Sequence, residues 1–322
     1  SSVPTTPTVV SQTTSDTTPV ITGTTGTGGA LLSGETMTVT INGATYAVTP
    51  DASGNWSVDT ETATPASGTL GAFSDGNTYQ VVATVTDGAG NSSTDASSDE
   101  LVIDTTDPTV PTVVSQTTSD TTPVITGTTG TGAALPSGET MTVTINGATY
   151  NVTPDASGNW SVDTETATPA SGTLGAFSDG NTYPVVATVT DGAGNTATDA
   201  STDELVIDSS VPTTPTVDAL TSNDTTPVIT GTTGTGGALP SGETMTVTIN
   251  GATYNVTPDA SGNWSVDTET ATPASGTLGT FTDGNTYPVV ATVTDETGNT
   301  ATDGSTDELV IDTTDPTTPT VD

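Results

Sequence analysis

The sequence predicts an all-β fold built as tandem antiparallel sandwiches. Three observations carry this: a long internal repeat, strand-length apolar alternation, and no apolar run with helical periodicity. The repeat comes first, because missing it misreads the whole chain. Trp56, Trp160 and Trp264 are spaced by 104 residues (160 − 56 = 104 and 264 − 160 = 104). Met37, Met141 and Met245 obey the same shift, as do Phe73, Phe177 and Phe281. The copies read 1–104, 105–208 and 209–312, with 313–322 opening a further one. That period is too long for a solenoid unit and suits one whole sandwich domain. Because the pattern starts and stops in mid-course, a longer parent array is expected.

Each element within a copy follows from local chemistry. An N-terminal strand is expected near Thr8–Val10. Pro19–Thr24 is short and β-branched after a proline, which reads as a strand. Thr36–Ile41 alternates Met37, Val39 and Ile41 on one face with Thr36, Thr38 and Thr40 on the other. Asn42-Gly43 is a type I′ hairpin signal, so Thr45–Thr49 should return alongside. Pro50–Asn55 is a turn cluster, after which Trp56 and Val58 point the same way. Thr78–Thr86 reads as the longest strand, with Tyr79, Val81, Ala83 and Val85 on one face. Leu101 and Ile103 close the copy. The sum is about seven strands per copy, an immunoglobulin-like sandwich with its neighbours arranged end to end.

Composition then narrows the function. The 322 residues contain no Lys, Arg, His or Cys, and the formal charge is −38. No carboxylate can be neutralised by a side chain of the same chain. The acids must therefore be solvated, spread apart or bound to cations, and self-repulsion opposes compaction. Nucleic acid is excluded as a partner, since phosphate binding draws on Lys and Arg. Without His, Cys or Lys, Ser/His and Cys/His nucleophilic systems cannot be built. Only a carboxylate-pair glycosidase survives in principle, and near-duplicate copies without a distinct cleft argue against it. No transmembrane run or basic amphipathic stretch appears, so no membrane insertion by these residues is expected. The core is light, with three Trp, three Phe and six Tyr over three copies. Hydrophobic burial alone would leave such a domain marginal.

Aspartates gather in turns. If the strands follow sandwich order, each copy has an incoming and an outgoing pole. The outgoing pole should carry Asp104 and Asp107 in I-D-T-T-D-P, beside the loop of Asp16 and the loop Ser74-Asp75-Gly76-Asn77. The incoming pole of the next copy should offer Asp191-Gly192-Ala193-Gly194-Asn195 and Asp155-Ala156-Ser157-Gly158-Asn159. Stacking the copies would join these oxygen donors at a joint. Ca²⁺ takes six to eight oxygens with tolerant geometry, whereas Mg²⁺ demands a stricter octahedron. Asp-rich turns punctuated by Gly thus point to several Ca²⁺ ions, at joints and loop turns. The expected ligands are Asp104, Asp107, Asp191 and Asn195, with the equivalents Asp87, Asn91, Asp208, Asp295, Asn299, Asp312 and Asp315. Asp16, Asp120 and Asp224, and Asp75, Asp179 and Asp283, complete the set. Turn chemistry alone also places Asp, Asn and Gly in such loops. Two departures mark the joint after Asp208: Val211 replaces the Asp107 equivalent, and Glu296 replaces the Gly192 equivalent. Weaker or altered binding is expected there. By strand rise each copy spans roughly 40 Å, so three in line would make a rod of about 120 Å.

The runs Asp16–Thr24 (D-T-T-P-V-I-T-G-T), Ser53–Val58 (S-G-N-W-S-V), Val85–Asn91 (V-T-D-G-A-G-N) and Val102–Pro108 (V-I-D-T-T-D-P) resemble a known family. It is the bacterial Ig-like extender repeats of giant repeats-in-toxin adhesins, ice-binding adhesins among them. The resemblance spans essentially the whole chain. It implies Ca²⁺-dependent folding, type I secretion to the bacterial cell surface, and a non-catalytic spacer role. Its partners would be neighbouring repeats of the same chain. Asp104, Asp107, Asp191, Asn195 and their equivalents match the ligand positions. Val211 departs from the pattern, and the glycine-rich nonapeptide of repeats-in-toxin β-rolls is absent.

The alternative is a glycan- or ice-binding adhesive module. Trp56 and its equivalents would then be a sugar platform, although alternation in W-S-V places them in the core. The Thr36–Thr40 row would be an ice-facing surface, although ordinary β-propensity explains it.

Overall fold

The structure, a computed structural model, describes residues 3–95, 97–199 and 201–318. Residues 319–322, the end of the expected further repeat, lie outside the described residues, as do 1, 2, 96 and 200. Every regular element described is a strand, and the strand pattern recurs at the 104-residue shift: Thr8–Val9, Thr112–Val113 and Thr216–Val217 open the three sets.

In the first repeat the strands are β1 (Thr8–Val9), β2 (Gln12–Thr14), β3 (Val20–Thr24), β4 (Thr36–Ile41), β5 (Ala44–Val48) and β6 (Asn55–Asp59). They continue with β7 (Ser67–Gly68), β8 (Thr78–Tyr79), β9 (Val81–Thr86), β10 (Ser92–Thr94) and β11 (Leu101–Ile103). Three sheets result, ordered β1-β3-β6, β10-β9-β4-β5-β7 and β2-β11-β8. The expected seven strands are recovered when β1 with β2, and β8 with β9, are each counted as one stretch that changes sheet partway. Short β7 and β10 are additions at the sheet edges.

Two expectations are corrected. Thr78–Thr86 is not one strand. β8 pairs with β11, through Leu101↔Tyr79, while β9 pairs with β4, through Ile41↔Val81. The break falls at residue 80, which is Pro184 and Pro288 in the other copies. Proline cannot donate to a ladder and interrupts a central strand. The sandwich is also not wholly antiparallel, because β2 runs parallel to β11.

Alternation otherwise sets burial as expected. In β4, Met37, Val39 and Ile41 are buried, and Tyr46, Trp56, Val58, Leu101 and Ile103 join them in one core. The third repeat has the same core, with Phe281 added. Phe73 meets Tyr79 edge to face at 4.9 Å. The Trp56 ring lies on Gly23, where a Cβ would sit 2.3 Å from the indole and 2.0 Å from the Thr8 carbonyl oxygen. That close approach requires glycine at the strand interior. The outward threonines are not an isolated row: Thr36 faces Thr86 and Thr38 faces Thr84 across strands. Thr40 bonds Thr45 at 3.0 Å and Thr84 bonds Thr94 at 3.1 Å, hydroxyl to hydroxyl. Cross-strand Thr pairs of this kind stabilise a sheet surface.

One buried group was not foreseen. Glu100 and Glu308 are 1% and 4% exposed. Glu100 Oε2 accepts the Val81 N–H at 3.0 Å, and Glu308 Oε2 accepts that of Val289 at 3.1 Å. In both, Oε1 is buried without a hydrogen-bond partner among the described residues. These carboxyls hold the start of β9 and its counterpart at the point where the strand changes sheet.

The chain divides into two compact units. One comprises Ser1–Val114, Val124–Leu174 and Val185–Thr202; the other comprises Ser115–Pro123, Gly175–Pro184 and Asp203–Asp322. The division runs through the middle repeat. The junction after residue 104 therefore lies inside the first unit, and the junction after residue 208 inside the second.

Candidate cation site at the repeat joints

The Asp-x-x-Gly-Asn turns share one geometry that follows from their sequence. Asp191 Oδ1 accepts the N–H groups of Ala193 (2.8 Å) and Asn195 (2.9 Å), and Oδ2 accepts Asn195 Nδ2 at 2.8 Å. Asp295 does the same with Thr297, 2.9 Å, and Asn299, 2.9 Å on both its N–H and its Nδ2. Asp87 with Asn91 repeats it in the first copy. Each carboxylate thus closes its own loop, as turn chemistry requires. Burial pushes the Asp191 carboxyl up, but the hydrogen bonds from Asn195, Ala193 and Gly194 outweigh it and hold it below the usual range.

What distinguishes the turn at 191–195 is its reach into the preceding repeat. Asn195 Nδ2 also donates to the backbone oxygen of Asp104 at 2.8 Å. In the same joint the Ser15 N–H, next to Asp16, donates to the Ala193 carbonyl at 3.2 Å. The structure therefore brings together Asp104, the Asp16 loop and the Asp191–Asn195 turn, as the pole assignment expects. Asp104 itself leaves β11 with its N–H on the Thr14 carbonyl, 3.0 Å, and Oδ1 on the Thr106 N–H, 3.1 Å. Asp107 is exposed three residues on.

The second joint is built alike. Asn299 Nδ2 donates to the Asp208 carbonyl at 3.0 Å, and Thr297 Oγ1 adds a bond to the same oxygen at 3.2 Å. A cleft of about 350 Å³ lies here, lined by Asp208, Val211, Glu243, Asp295, Glu296 and Thr297 among others. Val211 and Glu296, the two departures, thus face one space. Asp312 and Asp315, at the next outgoing segment, are exposed.

The remaining candidates have different surroundings. Asp75 clamps the outgoing segment: Oδ1 accepts the Thr105 N–H at 2.6 Å and Oδ2 the Thr106 hydroxyl at 2.9 Å. Asp179 and Asp283 repeat the clamp on Ser209 and Ser210, and on Thr313 and Thr314. The Thr105 N–H, with the Thr106 and Thr105 hydroxyls, holds the Asp75 carboxyl below the usual range. Asp16, Asp120 and Asp224 each accept the N–H and hydroxyl of the threonine two residues on. The Asp155–Asn159 turn stands at the incoming pole, where Asn159 pairs with Thr128 and the Thr129 N–H donates to the Gly158 carbonyl at 2.8 Å. Its carboxylate is taken by Ser157 and Asn159, and it lines a groove with Trp160.

Sequence reasoning missed Glu139 and Glu243. Burial raises the Glu139 carboxyl above its ordinary value, and the Asp191 charge raises it further; Glu243 stands in the same relation to Asp295. In the first repeat Glu35 instead accepts the Leu32 N–H at 2.9 Å. Pro136 and Pro240 occupy that position in the later copies and have no N–H to give. The Leu-to-Pro difference was legible, but only beside the fold does it release a carboxylate towards the joint. Among the described residues, no three carboxylates converge closely enough to form a cage by themselves.

No family model matches the chain, and no curated protein does. Solved structures do. One, from work on host cell surface retention of a 1.5-MDa bacterial ice-binding adhesin, is 26% identical over 97% of this chain and 100% of that one, with a TM-score of 0.40. A tetra-tandem repeat from the extending region of a large adhesion protein is 23% identical over 90% and 70%, at 0.25. Extracellular domains 3–5 of Drosophila OTK are 11% identical over 96% of each chain, at 0.29. Scores this low do not assign a function.

Proposed function

We propose that this chain is a non-catalytic spacer of a bacterial surface adhesin, its repeats joined end to end and stiffened by Ca²⁺ at the joints. The repeats are the units 1–104, 105–208 and 209–312, and the setting is extracellular. The observation that carries the reading is the recurrence of one joint: Asn195 on the Asp104 carbonyl, and Asn299 on the Asp208 carbonyl.

The donor chemistry fits a hard cation. A backbone carbonyl, a carboxylate and a side-chain amide meet at each joint, with a second carboxylate, Glu139 or Glu243, close enough to feel the first. The Asn195 Nδ2 group sits between two oxygens, the Asp104 carbonyl and Asp191 Oδ2, in the role a cation would take. Turning the amide presents its oxygen instead. Asp104, Asp191, Asn195 and Glu139 would then hold one ion, and Asp208, Asp295, Asn299 and Glu243 another, with water completing the shell. The ion supplies the positive charge that the chain lacks. Binding confined to the folded state adds about 2.7 kcal/mol per site at a hundredfold excess over Kd.

The sugar-platform reading loses its ring, since Trp56, Trp160 and Trp264 are each 3% exposed. The test is amide hydrogen exchange on the intact chain in Ca²⁺ and in chelator. Protection at 104–107 and 191–195 should fall on chelation while the sheet interiors hold. Unchanged exchange at the joints would refute cation stiffening.

A further inference from the structure

Three Asn-Gly pairs stand at the turn after β4 and its counterparts: Asn42-Gly43, Asn146-Gly147 and Asn250-Gly251. The asparagines have φ of 43°, 42° and 44°, the left-handed region that a type I′ turn demands. Gly43, Gly147 and Gly251 are exposed, so solvent reaches the peptide bond. An Asn-Gly pair carries an intrinsic reaction, because glycine has no side chain to shield its nitrogen. The Gly43 nitrogen attacks Asn42 Cγ and forms an N–Cγ bond. The Cγ–Nδ2 bond breaks, and Nδ2 leaves as ammonia with the proton lost from the attacking nitrogen. Water then opens the cyclic imide at either carbonyl and gives aspartate or isoaspartate. No oxidant, metal or enzyme is required.

The fold opposes this at a particular place. The Gly71 N–H donates to the Asn42 carbonyl at 2.9 Å, and Asn42 Nδ2 donates to the Ala72 carbonyl at 3.2 Å. In the third repeat Gly279 and Thr280 hold Asn250 in the same way, at 2.9 and 3.5 Å. The leaving nitrogen is thus tied to a neighbouring loop, and the side chain must swing off that loop before Cγ can meet the glycine nitrogen. The fit is close: a Cβ on Gly71 would stand 2.9 Å from Asn42 Nδ2.

We propose that Asn42, Asn146 and Asn250 are spontaneous deamidation sites gated by the loop that follows β7, so that modification marks repeats whose hairpin turn has opened. Each event adds one carboxylate to a chain that holds no basic side chain, and isoaspartate inserts an extra backbone carbon into a two-residue turn. The gate is independent of any cation at the joints.

The test uses the full chain and mass spectrometry after cleavage at glutamate, since trypsin has no site. The first repeat yields 36–61, whereas 140–165 and 244–269 share one sequence that differs from it at Ala47. In urea all three sites should deamidate at a common rate, severalfold faster than in the folded chain. Gly71→Ala should raise the rate at Asn42 severalfold and leave the shared peptide unchanged. Equal rates in folded and unfolded chain would overturn the gate. So would a Gly71→Ala chain in which Asn42 is unaffected or the shared peptide rises as well. No reaction in urea would remove the sites altogether.

Discussion

Replacing the buried glutamates Glu100 and Glu308 by glutamine should stabilise the protein. Each carboxyl is almost fully enclosed, has one oxygen on a backbone N–H, and leaves the other without a partner. No basic side chain exists anywhere in the chain to offset it. Glutamine keeps the shape and the acceptor for Val81 and Val289 while removing an acid from a site of low polarity. A buried polar atom left unsatisfied costs about 1–3 kcal/mol, more when charged; the amide nitrogen inherits the neutral part of that cost, so the gain per site is the excess due to the acid, about 1 kcal/mol. Alanine has the opposite effect: it orphans the Val81 N–H and opens a cavity, at a cost of about 2–5 kcal/mol. Guanidinium unfolding followed by tryptophan fluorescence separates the three chains. If glutamine is as damaging as alanine, Oε1 holds a partner on which the fold depends, and the reasoning fails.

Four further outcomes follow from the geometry. Gly231→Ala should destabilise the third repeat by about 1–3 kcal/mol or more, because its Cβ would lie 2.0 Å from the Thr216 carbonyl oxygen and 2.4 Å from the Trp264 ring; a melt of unchanged midpoint would contradict the close approach. Asn195→Ala removes the bonds to Asp104 and Asp191 and should raise exchange at 104–107, at a cost of about 1–3 kcal/mol, while the joint at 208 stays protected. In acid, the Asp75, Asp179 and Asp283 clamps should fail. Their folded values lie below the ordinary one, mainly through bonds from Thr105, Ser210 and Thr313, so their contribution is present above the unfolded value and lost as pH falls through the folded one. Glu139 and Glu243 have the reverse sign, since burial raises them, and in chelator, with no ion for them to hold, a Glu139→Gln/Glu243→Gln chain should gain stability above the ordinary glutamate range. Melting curves from about pH 7 to about pH 3 check both.

The fold was legible where a side chain's period or a turn's chemistry decides it. Met37, Val39 and Ile41 alternate into the core as written, and Asn42-Gly43 forms its hairpin. It was not legible where a strand changes partner. Thr78–Thr86 alternates without a break in the first repeat, and only Pro184 and Pro288 in the sister copies hint that the ladder ends at residue 80. The joint divides in the same way. Asp104 and the Asp191–Asn195 turn could be paired by reasoning from strand order. Glu139 could not, because its release depends on an N–H that Leu32 supplies and Pro136 lacks. The Asp155 turn has the same spacing as the Asp191 turn and closes on itself in the same way, through Ser157 and Asn159.

The most direct measurement is the melting temperature of the intact chain in Ca²⁺ and in chelator, beside an Asp191→Asn/Asp295→Asn chain. Asparagine keeps the Oδ1 acceptor for the two turn N–H groups, gives up the bond from the Asn195 or Asn299 amide, and removes the charge. The expected result is a Ca²⁺-dependent rise in the parent chain that the double variant largely loses. A parent chain that melts at the same temperature with and without Ca²⁺ would contradict cation-stiffened joints.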